Sequence, residues 1–246
     1  MLRATARRIL GIADYSLPKP YDFVQADVEQ HLHLHLGRRA EEISAIVIVG
    51  AWHGNEVVRM LGRFPAAHFF CFEPNPQDYA VLESRFRGNE RITCFSVAAS
   101  DTAGKTSFYE VGRPGTSSLF PPDAGDERLP LVGTFEVETV RLDDLPELRA
   151  VRIDCLWIDV QGAEIKVLHG ASELLARTDA LFLEVALYRS AYVGGAQMEE
   201  LRELLQPAGF SLHGLGLGHG GAEGNSLWLR SPSARADTSA LRQATR

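Results

Sequence analysis

Two carboxylates and an amide follow a strand-like apolar segment near the middle of the chain. The segment Ile153–Ile158 ends at Asp159, and Gln161, Gly162 and Glu164 come directly after it. In an open α/β sheet, ligands bind beyond the carboxyl ends of the strands, so we expect Asp159 to point into a site. A carboxylate in such a place can act as a general base. The alternative is structural, with Asp159 as the N-cap of the next helix and Glu164 in its first turn.

A third acid, Glu184, closes another apolar run, residues 181–185. If the two strands are neighbours, Glu184 and Asp159 face a common cavity. Such a pair could also hold Mg²⁺, and His31 and His35 could share a metal on one helix face. We expect no metal site, because no further ligand types cluster near either pair. The structural alternative for Glu184 is an acid that is hydrogen-bonded to backbone at a strand end.

A glycine-containing turn forms the second candidate site. β-Branched residues lead to Gly50 and Gly54, and glycines at a strand-to-helix turn let backbone approach a ligand closely. About twenty residues later Glu73 ends the next strand-like run, where nucleotide-binding folds place the acid that binds ribose hydroxyls. The turn alone would also fit a plain tight connection. Together with the acid, it indicates a nucleotide-type cofactor.

Strand-like and helical segments alternate along the chain in a way that positions these residues. The predicted strands are 45–49, 68–72, 92–97, 153–158 and 180–185, and the predicted helices are 56–63, 77–86, 165–175 and 197–205. This alternation predicts an α/β fold with a mostly parallel, doubly wound sheet. The last strand-like runs, 209–212 and 225–229, predict an antiparallel terminal hairpin at the sheet.

Three regions follow from these patterns. Residues 1–44 are predicted to be a helical lead-in, 45–230 the main domain, and 231–246 a polar, disordered tail. The segment 112–133 is rich in proline and glycine and is predicted to be a loop or lid. Its Ser117 and Ser118 and the later Tyr188 and Tyr192 are candidates for the wall of an acceptor pocket. The alternatives are a mobile surface loop for the serines and packing under the terminal hairpin for the tyrosines.

Composition excludes several classes of protein. The 246 residues carry a formal net charge of −7, which argues against nucleic acid as the main partner because basic surface supplies backbone affinity. The three cysteines form no paired framework, which is typical of a reducing compartment. No apolar run is long enough to cross a membrane and no secretory leader is recognisable, so we expect a cytoplasmic protein. The oligomeric state cannot be read from these features.

Several motifs in the same order resemble the FkbM family of S-adenosylmethionine-dependent methyltransferases. They are Val49-Gly50-Ala51 with Gly54, Phe72-Glu73-Pro74-Asn75-Pro76, Ala98-Ala99-Ser100-Asp101 with Gly104, Thr116-Ser117-Ser118-Leu119, Val140-Arg141-Leu142-Asp143-Asp144-Leu145, Ile158-Asp159-Val160-Gln161-Gly162-Ala163-Glu164 and Val167-Leu168-His169-Gly170-Ala171. The resemblance implies a class I methyltransferase (Rossmann-like) fold and S-adenosyl-L-methionine as the cofactor.

The resemblance also assigns cofactor contacts. The turn from Gly50 to Gly54 would cradle the methionine part, Glu73 the ribose, and the turn from Val97 to Ser100 would border adenine. The expected cofactor-binding residues are Gly50, Ala51, Trp52, Gly54, Glu73, Pro74, Asn75 and Ala98. The chain departs from the family at Ile48, where an acid is usual, and at Trp52, where Asn or His is commoner. The Trp52 indole could lie against the sulfonium or fill the space that the cofactor needs.

The predicted function is O-methylation of a hydroxyl on a sugar, glycolipid or secondary metabolite. Asp159 is the candidate base, because a sugar hydroxyl is a poor nucleophile at neutral pH. Gln161 and Glu164 would orient the acceptor or brace the turn, and Glu184 completes the catalytic set. One alternative is a non-catalytic cofactor-binding or scaffold protein of the same fold. A nicotinamide dehydrogenase is disfavoured because the full Gly-x-Gly-x-x-Gly spacing is missing.

Overall fold

The structure is a computed structural model that describes residues 28–217 and 222–231. Its strands are β1 (Ala45–Val49), β2 (His68–Phe72), β3 (Ile92–Phe95), β4 (Ala98–Ala99), β5 (Gly104–Val111), β6 (Leu131–Val140), β7 (Ile153–Ile158), β8 (Thr178–Ala186), β9 (Phe210–Leu217) and β10 (Glu223–Arg230). Its α-helices are α1 (Val28–Gly37), α2 (Asn55–Leu61), α3 (Pro76–Phe86), α4 (Glu164–His169), α5 (Ser172–Leu175) and α6 (Met198–Leu205). Two short 3₁₀ turns, Leu142–Asp144 and Pro146–Leu148, precede β7.

Seven strands form the main sheet in the order β3-β2-β1-β7-β8-β10-β9. The first five of these pair in parallel, and β10 runs antiparallel to both β8 and β9. The predicted doubly wound sheet with an antiparallel terminal hairpin is therefore confirmed. The strand order reverses between β1 and β7, which places the ligand-binding crevice of such sheets beyond the ends of these two strands.

The central strands are apolar because the sheet is covered on both faces. All five residues of β1 and all six of β7 are buried. Alternate side chains face opposite layers: Ile46 and Ile48 pack with α1, α2 and α3, whereas Val47 and Val49 pack with α4, α5 and α6. Ile48 is thus a core residue, and an acid at this position would meet an apolar layer.

A second, three-stranded sheet in the order β4-β6-β5 lies between β3 and β7 in the chain. Strands β5 and β6 were not among the predicted elements, because both leave many side chains exposed and lack a continuous apolar run, although residues 133–139 alternate between less exposed and exposed side chains. The predicted loop 112–133 connects these two strands. Its last residues, Leu131 to Gly133, belong to β6, so the loop prediction was wrong at that end.

The predicted helix 165–175 is also incorrect, because it is interrupted between α4 and α5. At the break, a Cβ on Gly170 would lie 1.9 Å from the Ser100 carbonyl oxygen. Only glycine therefore fits at this break, where the chain lies against the residue that follows β4. The other predicted strands and helices are present with end shifts of a few residues.

The N-terminal region is described only from Val28 onward. Helix α1 packs against β8, β9 and β10 and confirms a helix in the part of the lead-in that the structure covers. Residues 1–27 and the predicted tail beyond residue 231 lie outside the described residues. No helix within the described ranges is long and apolar enough to cross a membrane.

Candidate active site

The turn after β1 lies against the turn after β7. Gly50 has φ +82°, and a Cβ on it would lie 1.8 Å from the Asp159 carbonyl oxygen. The amides of Gly50 and Ala51 both donate to the Phe72 carbonyl, at 3.0 and 2.9 Å. Only glycine allows both the left-handed backbone and this close approach. The first glycine of the motif thus joins three strand ends at the switch point of the sheet.

The second glycine of the turn has a packing role. Gly54 also has positive φ, and a Cβ there would lie 2.3 Å from the Phe86 ring and 2.8 Å from Leu82. Its absent side chain lets α2 sit against α3. Ala51 is fully buried beneath the turn. Neither residue lines the cleft described below, so a direct cofactor contact by Gly54 or Ala51 stays a prediction.

Glu73 is a buried acid that ties two turns together. Its Oε2 accepts a hydrogen bond from the Trp52 amide at 2.9 Å, and its Oε1 accepts one from the Asn75 amide at 2.8 Å. Only 6% of Glu73 is exposed, and burial raises its pKa to about 7 although the two amides act in the opposite direction. Asn75 uses its side-chain oxygen to cap α3 by accepting from the Gln77 amide at 2.9 Å.

A first cleft opens beyond β1, β2 and β7 and encloses about 570 Å³, including the part open to solvent. Its walls bring together residues from six separate stretches of the chain. Among the predicted site residues, Gly50, Trp52, Glu73, Pro74, Ala98, Asp159 and Gln161 line it.

The Trp52 indole lies along the wall of this first cleft. Its backbone is left-handed at φ +43°, a conformation that costs energy for a bulky residue. The ring stacks on His53, with centroids 4.1 Å apart and planes 12° from parallel, and it passes beneath Gly115. His53 in turn contacts Asp78 at 2.8 Å between Nε2 and Oδ1. The indole is therefore fixed in place and forms part of the wall of the cleft beside Gly115.

A second cavity, of about 850 Å³ with its open part included, adjoins the first. Gly115 and Gln161 line both spaces, so these residues mark where the two meet. The second cavity has polar walls, with Glu184 and Glu164 on the sheet side and Arg113 and Arg128 on the loop 112–133. The loop thus covers the ends of β7 and β8.

Asp159 and Glu184 are brought together by the side chain of Gln161. Its Nε2 donates to Asp159 Oδ1 at 2.8 Å and to Glu184 Oε2 at 2.5 Å. Burial raises the pKa of both carboxyls, and that of Glu184 is raised further by the negative charge of Asp159. A hydrogen bond between the two acids lowers the pKa of Asp159 and raises that of Glu184. These effects favour the proton on Glu184 over Asp159.

Glu164 braces the turn that carries these groups. Its Oε1 accepts from the Gly162 amide at 3.1 Å and the Val160 amide at 3.3 Å, and only 2% of the residue is exposed. Burial raises its pKa to about 7. Gln161 within this turn has φ +56°, which is uncommon for a residue with a side chain. An acceptor contact by Glu164 stays a prediction.

Two polar contacts of this site were not anticipated from the sequence. The Ser118 hydroxyl donates to the Gln161 carbonyl at 2.7 Å, and the Tyr192 hydroxyl lies 2.5 Å from the Thr116 carbonyl and 3.1 Å from Gln161 Oε1. The sequence indicates Ser118 and Tyr192 as candidates for the wall of an acceptor pocket, but no sequence signal predicts their hydrogen bonds to Gln161. Tyr188, the other candidate tyrosine, is 55% exposed and lines neither cavity.

Metal ligands do not assemble at this site within residues 28–217 and 222–231. No group of three or more His, Cys, Asp or Glu side chains that could hold a metal ion occurs in these ranges. Asp159 and Glu184 both accept from the Gln161 amide, and the histidines of α1 line neither cavity.

The chain matches the family model described as a methyltransferase FkbM domain over residues 49–212. It is 31% identical to 2-O-methyltransferase NoeI of Sinorhizobium fredii over 172 residues, which cover 65% of this chain and 70% of NoeI. It is 30% identical to methyltransferase sdnD of Sordaria araneosa over 156 residues, which cover 52% of this chain and 60% of sdnD.

Solved structures resemble the chain at lower similarity. An rRNA methylase from Streptococcus thermophilus has a TM-score of 0.48 and 11% identity, and covers 83% of this chain and 97% of its own. A precorrin-6y C5,15-methyltransferase from Geobacter metallireducens has a TM-score of 0.45 and 13% identity, with 91% and 98% covered. Because the family model spans well over half of the sequence and agrees with the motifs and the sheet order, the chain belongs to the FkbM methyltransferase family.

Proposed function

We propose that the protein transfers a methyl group from S-adenosyl-L-methionine to a hydroxyl of a small molecule or glycan. The observation that carries this proposal is the meeting of two cavities at Gln161, beside a buried pair of carboxylates. One space would hold the cofactor and the other the acceptor. Asp159 lines the first space and Glu184 the second, so the pair stands where the two reactants would meet.

The first cleft has the groups that an adenosyl cofactor requires. Glu73 retains free lone pairs on both carboxylate oxygens and would accept from the ribose hydroxyls. The turn at Gly50 and Trp52 would take the methionine part, and Ala98 would border adenine. When bound, the cofactor supplies a methyl group on a positively charged sulfur. The stacked Trp52 ring would lie at the rim near that charge, which favours binding through a cation–π contact.

Asp159 would accept the proton of the acceptor hydroxyl. It would be the ionised member of its pair, because the hydrogen bond between the two acids favours the proton on Glu184. As the bond from acceptor oxygen to methyl carbon forms and the bond from sulfur to methyl carbon breaks, the hydroxyl proton would move to an Asp159 oxygen. Holding the two reactants in line in a largely dry site can supply on the order of 7 to 11 kcal/mol of barrier reduction. Gln161 would keep the carboxylates in place during this step.

A hydroxyl-rich acceptor suits the second cavity. Its walls carry charges of both signs, including Arg113, Arg128, Glu184 and Glu223, and such groups make directional hydrogen bonds to several hydroxyls. The similarity to a protein named 2-O-methyltransferase supports the same class of acceptor. The net charge of −7 favours a small molecule or glycan over nucleic acid.

Thermal unfolding in the presence of S-adenosylmethionine or S-adenosylhomocysteine tests the cofactor assignment. A true site raises the unfolding midpoint as the ligand exceeds its dissociation constant. The Glu73→Ala variant is expected to bind both ligands more weakly than the wild-type protein. If neither ligand moves the midpoint of the wild-type protein, the enzyme proposal fails.

Methyl transfer is then measured with radiolabelled S-adenosylmethionine against a panel of monosaccharides, glycolipids and, as the competing class, RNA. Label in a hydroxylated small molecule or glycan supports the proposal. Label in RNA alone would contradict the acceptor class, and cofactor binding without any transfer would favour the non-catalytic alternative.

A further inference from the structure

Tyr192 is a buried residue whose hydroxyl reaches the machinery described above. Its ring packs with Val111 and Leu129, and the residue is only 6% exposed. The hydroxyl lies within hydrogen-bond distance of two acceptors, the Thr116 carbonyl and Gln161 Oε1. Tyr192 therefore connects the loop 112–133 to the side chain that holds the carboxylate pair.

The Gln161 side chain needs such a contact because its two ends are nearly the same shape. Only the chemistry of its neighbours decides whether nitrogen or oxygen faces the carboxylates. The backbone of Gln161 is already fixed, with left-handed φ and a carbonyl that accepts from the Ser118 hydroxyl. The orientation of the amide itself is left to the hydroxyl of Tyr192 on one side and the carboxylates on the other.

We propose that Tyr192 is a positioning residue of this site: its hydroxyl orients the Gln161 carboxamide so that Nε2 faces both carboxylates. This inference rests on the proposed function for its catalytic meaning, but the coupling itself is a property of the ligand-free protein. Without the hydroxyl, Oε1 loses this contact and only the two carboxylates hold the amide in place. An amide that moves away from the carboxylates donates less to them and disfavours their ionised form.

The proposal predicts a measurable change in the titration of the pair. Donation from Gln161 lowers the pKa of Asp159 in the present arrangement. Loss of that donation should raise the midpoint at which the pair ionises by about one pH unit, which corresponds to one charge-assisted hydrogen bond. Besides Asp159 and Glu184 themselves, the titratable groups that face this pair are Glu164, Tyr192 and Glu223.

The test compares Tyr192→Phe with Tyr188→Phe, an exposed tyrosine of the same segment, in the full-length ligand-free protein. Carboxyl carbon chemical shifts of Asp159 and Glu184 are followed by NMR from pH 5 to pH 9. We expect an upward shift of about one pH unit in Tyr192→Phe and none in Tyr188→Phe. Unchanged midpoints in Tyr192→Phe, or equal shifts in both variants, would overturn the proposal.

Gln161→Asn covers the case in which Tyr192→Phe does not fold. Asparagine tolerates the left-handed backbone, but its shorter side chain cannot reach both Tyr192 and the carboxylates. The same upward shift is expected, and its absence would count against the proposal. Because the titration needs neither cofactor nor acceptor, a failure of the wild-type protein to transfer methyl groups refutes the proposed function without affecting this result.

Where an acceptor is found, the rate profile adds a second readout. Tyr192→Phe should lower kcat about tenfold at pH 7, move the acidic limb of the pH profile upward, and leave cofactor affinity within about threefold of wild type. A uniform loss of rate with an unmoved profile would indicate a merely structural role and contradict the proposal.

Discussion

The pKa of Glu73 predicts that cofactor affinity depends on pH near neutrality. Burial raises this pKa to about 7, whereas the ribose hydroxyls of the proposed cofactor donate to the ionised carboxylate. Below pH 7 the carboxyl must first lose its proton, so the apparent dissociation constant rises as the pH falls. At pH 5.5 the protonated form outnumbers the ionised form roughly thirtyfold, so binding should be about 30-fold weaker than at pH 8.5, a difference of about 2 kcal/mol.

Isothermal titration calorimetry of S-adenosylhomocysteine between pH 5.5 and pH 8.5 measures this dependence. Glu73→Gln should bind about 10- to 100-fold more weakly than wild type at pH 8.5, because a charge-assisted hydrogen bond is lost. Its affinity should be nearly independent of pH, because the titrating group is gone.

The matched control is Glu164→Gln. Glu164 is equally buried and has a similarly raised pKa of about 7, but its carboxylate accepts from backbone amides of the turn after β7 and does not line the first cleft. This variant should retain the wild-type pH dependence of binding. If wild-type affinity is flat across this range, or if Glu73→Gln keeps the full dependence, the assignment of Glu73 as the ribose-binding acid is refuted.

Three further predictions concern catalysis and stability. Asp159→Asn should bind S-adenosylhomocysteine within about threefold of wild type in the same calorimetric assay, yet lose about 100-fold or more in turnover; equal losses in both would refute its role as base. In chemical denaturation, Gly50→Ala should destabilise the protein by at least 2 kcal/mol more than Gly88→Ala. Both glycines have positive φ, but only at Gly50 would the new Cβ clash with backbone, at 1.8 Å from the Asp159 carbonyl oxygen. Equal effects would contradict the packing argument. The unfolding free energy of the ligand-free protein should decrease as pH rises from about 5 to 8, because the folded-state pKa values of Glu73 and Glu164 are raised to about 7. Each protonated carboxyl contributes about 3 kcal/mol of stability at most, and this contribution is lost as the pH rises through 7. The Glu164→Gln variant should show a smaller decrease.

The Asp159 turn and the Gly50 turn were recognisable because local chemistry marks them. A fully buried parallel strand must be a continuous apolar run, so the abrupt change to polar residues at Asp159 indicates the strand end. Glycines with positive φ likewise leave a trace in the sequence, because few other residues tolerate that backbone. The main sheet followed from the same periodic patterns. Family motifs then connected the separate turns into one expected site.

The small β-sheet and the break between α4 and α5 left weaker traces. Strands β5 and β6 form a partly exposed sheet and lack the continuous apolar runs that identify the buried strands, although residues 133–139 of β6 alternate in exposure. Gly170, at the break between α4 and α5, lies against the Ser100 carbonyl from a distant part of the chain, where a Cβ would not fit. Such a contact between residues far apart in sequence is invisible until the chain folds.

The sequence by itself determined where the candidate site residues lie. Asp159, Gln161, Glu184 and Glu73 are polar groups at the ends of apolar strands, and burial of those strands requires the groups to emerge at one edge. Only the tertiary structure decided how they are connected. Gln161 bridges two acids that come from adjacent strands, and Tyr192 reaches it from a segment thirty-one residues away. The physical reason is that hydrogen-bond partners and pKa values depend on distances and burial across the whole fold, which local sequence patterns do not encode.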